Sequence, residues 1–97
     1  MRKTDKKYDK AIRETLTEVC ELTMENIEGF EWLTHEVNYQ RFPQSLIVRL
    51  MFKDQQTLAS FKRSDDYQAV LNDIQTRLTA AGVTLKNINQ HIELDTL

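Results

Sequence analysis

Leu46–Phe52 reads "LIVRLMF", and its period decides what the rest of the chain can build. Leu46, Val48, Leu50 and Phe52 alternate with Ile47, Arg49 and Met51, the two-residue repeat of a strand whose faces meet different surroundings. The first set is wholly apolar and is expected to face the core. On the other side Ile47 and Met51 flank Arg49, and this pair becomes a docking surface if Trp32 or a third strand enlarges the patch.

Working upstream, Phe30 to Tyr39 is rich in aromatic and branched residues and predicts a preceding strand, joined to the first through a loop around Phe42-Pro43. Further back, Tyr8, Ile12, Leu16, Val19, Cys20, Thr23 and Ile27 recur at steps of three and four. That stripe predicts an amphipathic helix from Asp5 to about Asn26, stopped by Gly29. Working downstream, Asp54 can cap a short helix through Leu58 and Phe61, and Ser64 can cap a second that carries Tyr67, Val70, Leu71, Ile74 and Leu78 as far as Gly82. The closing "NINQHIELD" alternates Ile88, Gln90, Ile92 and Leu94 with Asn89, His91, Glu93 and Asp95, a strand pattern whose histidine is expected to face solvent.

The order helix-strand-strand-helix-helix-strand predicts an α+β fold, with a three-stranded sheet covered by helices on one face. Ninety-seven residues with two glycines and one proline fit a single domain over 1–97, with residues 1–4 expected to be disordered. The basic start is followed by no uninterrupted apolar run, so neither a secretory signal nor a membrane anchor is expected. A single cysteine cannot close an internal disulfide, which fits a reducing compartment and a cytoplasmic location.

Charge is sorted along the chain. Residues 1–13 carry a net +4, residues 14–36 hold seven glutamates and no base, residues 37–63 return to +4, and residues 64–97 are at −3. In the first helix this order opposes the macrodipole, which favours acids at the N-terminus and bases at the C-terminus. An antiparallel second copy would set basic start against acidic middle, so self-association or binding to another protein is the leading expectation. The alternative is nucleic-acid or ribosome-associated binding through Tyr39, Arg41 and Phe42 at the hairpin tip, extended by Arg49 and Lys53, with Lys62, Arg63 and the basic N-terminus as further contributors, because rings stack on bases and cations meet phosphate.

Catalytic chemistry finds little support. Cys20 with His35 or His91 is the one nucleophile pair to consider, and Cys20 falls on the apolar stripe, where cysteine is usually inert packing. Two distant histidines with scattered carboxylates give no metal-ligand spacing, so His35 as well as His91 is expected to face solvent from a strand, and Asp65-Asp66 sits at a helix start, where capping accounts for it. Both glycines are single and end helices, so no phosphate-cradling loop exists. The chain is therefore expected to be a non-enzymatic module without cofactor or metal.

Two resemblances follow from these segments. The element order is similar to the type II KH fold, an RNA-binding family that clamps RNA with a G-x-x-G loop between its consecutive helices. Here that place reads Lys62-Arg63-Ser64-Asp65-Asp66, with no glycine and with two acids that repel phosphate. Separately, "DKKYDKAIRETLTEVCE", "GFEWLTHEVNYQRFPQSLIV" and "HIELDT" resemble small bacterial proteins sometimes labelled Fis-family regulators. True Fis proteins end in a helix-turn-helix, whereas this chain ends in the strand-like "NINQHIELDTL". That resemblance implies a small cytosolic α+β protein and carries over no functional residue.

Overall fold

The computed structural model describes residues 3–97. Its elements are α1 (Lys3–Asn26), β1 (Phe30–Glu36), β2 (Ile47–Phe52), α2 (Gln55–Arg63), α3 (Asp65–Ala80) and β3 (Ile92–Thr96), with short 3-10 turns at Tyr39–Arg41 and Ile88–His91. The chain is a single α+β domain in the expected order. The sheet runs β1-β2-β3, antiparallel between β1 and β2 and parallel between β2 and β3, the latter joined by the α2-α3 crossover.

The alternation in β2 does what its period predicts. Val48, Leu50 and Phe52 are fully buried together with the preceding Leu46, and they meet Ile12 and Val19 of α1 and Leu71, Ile74 and Leu78 of α3 in one core. Each such side chain contributes roughly 1.5–3 kcal/mol by leaving water. Phe52 also stacks with Phe61 of α2 at 5.0 Å and meets Phe30 edge-on at 5.9 Å. All three helices lie on this face.

The ends of the elements follow local chemistry. Gly29 takes φ +83° after α1, and a Cβ there would lie 2.6 Å from Thr57 Cβ, so glycine is required by both conformation and space. Gly82 takes φ +94° after α3, where Val83 N donates to Leu78 O at 2.8 Å and closes the helix. Asp54 caps α2 as expected, accepting from Thr57 N at 2.8 Å.

Several expectations are corrected. Of the four residues expected to be disordered, Lys3 and Thr4 are described as the first residues of α1, and Met1 and Arg2 lie outside the described residues. β1 stops at Glu36 rather than Tyr39, because Asn38 turns the chain by accepting from Gln40 N at 3.0 Å. Ser64 starts α3 without capping it, since its hydroxyl donates backward to Phe61 O at 2.7 Å. The pattern over Ile88–His91 belongs to a 3-10 turn, and His91 is buried rather than solvent-facing. His35 is half-buried on the helix side of β1.

Candidate functional site

The side of the sheet away from the helices is built by the residues that alternate with the core. The cross-strand register sets Trp32, Met51 and Asp95 in one row, Thr34, Arg49 and Glu93 in the next, and Glu36 beside Ile47. Ile47 and Met51 are half-buried, and Trp32 is 44% exposed. Trp32 adjoins Met51 at one end of this face, and β3 extends it with the acidic side chains of Glu93 and Asp95.

Arg49 organises its centre. Its Nη2 and Nε donate to Glu93 Oε2 at 2.8 and 3.1 Å, and its Nη1 donates to Glu36 Oε1 at 3.1 Å. The hydrogen bonds to Glu93, then to Glu36, push the guanidinium pKa above its usual value. Arg49 thus ties both outer strands to the middle one. With Asp95 included, the face carries three carboxylates against one guanidinium, and its apolar part is Trp32 with Met51 at one end and Ile47 at the other.

The candidate residues at the hairpin tip are placed elsewhere. Phe42 stacks on Tyr8 of α1 at 4.7 Å and on Tyr39 at 5.4 Å, and the Tyr39 hydroxyl donates to Asp9 Oδ1 at 3.1 Å. Burial, then the hydrogen bond to Asp9 and its charge, push the Tyr39 hydroxyl up to about 12. These rings hold the tip to the start of α1, and Arg41 stays exposed beyond them. Lys53 lies past the opposite end of β2, on a hollow of about 530 Å³ whose lining includes Glu28, Asp54 and Asp66. The seven candidates therefore fall into three separate places: tip, open face and hollow. The turn in the position of the KH clamp, at Ser64, borders the same acid-lined hollow.

Cys20 and His35 line one groove of about 390 Å³ between α1 and β1, together with Leu16 and Leu33. The other histidine, His91, places its Nδ1 2.7 Å from the Leu46 carbonyl oxygen. Among the described residues no three His, Cys, Asp or Glu side chains converge as a metal set, and no helix is long and apolar enough to cross a membrane.

The residues that the sequence did not single out are Glu36, Glu93 and Asp95. Each looks like an ordinary strand-surface acid in sequence, and only the pairing register aligns them around Arg49 and Met51. Comparison with known proteins finds no matching family model, no matching curated protein and no matching solved structure.

Proposed function

We infer that this chain is a non-enzymatic, cytosolic interaction module, and that its open sheet face takes a protein segment carrying apolar and basic side chains. The observation that carries this reading is the uncovered face itself, where a half-exposed Trp32 adjoins Met51 and the formal charge of the surrounding groups is negative. Tryptophan is among the strongest interface anchors when its surroundings can be desolvated, and complementary charge guides the partner's orientation.

The nucleic-acid alternative has weaker support. Arg41, Arg49 and Lys53 stand apart, Arg49 is occupied by two carboxylates, and the two tip rings pack on α1. Nucleic-acid binding by charge needs several cations on one surface.

Trp32 is the one tryptophan and reports on its own face. Titrating the protein with an amphipathic leucine-lysine peptide should shift its emission to the blue and saturate, while a leucine-glutamate peptide should leave it unchanged. Met51→Glu should remove the shift. Emission unmoved by either peptide, with the protein instead retarded by mixed cellular RNA in size exclusion, overturns the reading.

A further inference from the structure

We propose that two copies of this chain join edge to edge through β1, forming a two-fold dimer in which the α1 helices run antiparallel beside each other. This rests on the reading of the chain as an interaction module and assigns it a second surface, the β1 edge that borders the open face of the sheet.

The first observation is the edge. Among the described residues β1 pairs only with β2, so its other side presents backbone groups that no neighbouring strand takes up. Exposed edges are usually blunted by lysine, proline or a bulge. Phe30–Glu36 contains no lysine or proline, and its bulge lies between Phe30 and Trp32, which leaves Trp32–Glu36 regularly paired and open to a second strand.

The second observation is the groove beside that edge, with Leu16, Cys20, Leu33 and His35 along it and Arg13 and Glu21 on its helical wall. An added strand would cover this groove. Antiparallel pairing of Trp32–Glu36 with itself centres on Thr34, so Leu33 of each copy faces His35 of the other on the helix side.

The third observation selects the occupant. α1 runs antiparallel to β1, since Tyr8 meets Phe42 at one end and Phe30 N donates to Ile27 O at the other. The side of α1 that walls the groove carries Lys6, Lys10, Arg13, Thr17, Glu21 and Met24 at steps of three and four, all exposed. Bases fill the first half of this stripe, and Glu21, then Glu28 just past the helix, fill the second.

A two-fold axis passing Thr17 and Thr34 sets Arg13 against Glu21 of the second copy, Lys6 against Glu28, and the stem of Lys10 over Met24. Each contact occurs twice. In one copy the exposed Arg13 already holds the half-buried Asp9 at 2.9 Å, and its guanidinium has further donors with which to reach a second acid. A charge order that opposes the helix's own dipole becomes favourable in the pair. A basic unrelated partner would meet Lys6, Lys10 and Arg13 with repulsion, and an acidic one would meet Glu21 and Glu28; an antiparallel copy of the same stripe satisfies both halves.

Light scattering behind size exclusion tests this on the full chain at low and high salt. The expected result is a dimer at low salt that dissociates as salt rises. Arg13→Glu should raise the dimer Kd by about tenfold or more, because two attractions become repulsions. Combining Arg13→Glu with Glu21→Arg should restore the dimer, which no loss of fold would do. As a second readout, Thr17→Cys in a Cys20→Ser background should give a cross-linked dimer with a short bismaleimide.

A wild-type monomer at every concentration overturns the proposal, and so does a double variant as monomeric as Arg13→Glu. A dimer indifferent to Arg13→Glu but dissolved by Met51→Glu also overturns it. That last result moves the contact to the open sheet face and leaves the functional reading standing, whereas loss of peptide binding by a dimer with the expected charge behaviour would have the reverse meaning.

Discussion

His91 joins two segments through one side chain. It is buried, and its Nδ1 lies 2.7 Å from the carbonyl oxygen of Leu46, just before β2. A carbonyl can only accept, so Nδ1 carries the proton and donates. Replacing it with leucine leaves that carbonyl short of a donor in a dry place, a loss of about 1–3 kcal/mol. His91→Asn keeps a donor of similar reach, so urea denaturation should find it less destabilised than His91→Leu. Equal losses would mean that ring volume, not the hydrogen bond, matters here. Nothing in "NINQHIELD" announces this role, because the partner lies 45 residues away in sequence. Arg49 is similar: its type and face were legible, its two carboxylate partners were not.

Elements depend on their ends. α2 has nine residues, too few to hold as an isolated helix, so it relies on packing and on its cap. The Asp54 carboxylate accepts from Thr57 N at 2.8 Å and from Thr57 Oγ1 at 2.9 Å. These bonds, the backbone one foremost, hold its pKa below the usual 3.8. The charged form is the one the fold favours. Its contribution is therefore complete above pH 3.8 and is lost as pH falls through the lower folded-state value. Asp54→Ala should lower the Tm near neutral pH, and the gap to wild type should close in acid. Asp54→Asn caps without titrating, so its Tm should vary less with pH over that window. A gap that stays constant into acid would contradict a charge-dependent cap. This cap was readable in sequence because capping is local; the failed cap at Ser64 was not, because its hydroxyl chose between two neighbouring backbone partners.

Across the whole molecule, the hairpin tip and the start of α1 stabilise each other. Tyr8 and Phe42 are far apart in the chain and stack at 4.7 Å, with Tyr39 behind them. Phe42→Ala should raise amide exchange in residues 39–45 and in the first two turns of α1 while leaving β2 protected. Uniformly faster exchange would show that Phe42 supports the common core instead. The same contact fixes the direction of α1 along β1. That alignment puts the sorted charges of the helix beside an open strand edge, and it is the basis for the proposed dimer.

The sequence by itself determined the element types and their order. The two-residue period of Leu46–Phe52, the three-and-four spacing of α1 and α3, the glycines at 29 and 82 and the cap at Asp54 are all effects of residues close in the chain. It also showed that charge on α1 is sorted against the helix dipole. Tertiary structure alone decided what depends on distant partners: that β3 lies parallel to β2, that Glu36 and Glu93 close on Arg49, that the tip rings turn onto Tyr8, and that β1 rather than β2 is left as an edge. Local propensity acts over one turn or one strand, whereas register and face come from which apolar surfaces close together, and that is a property of the whole chain.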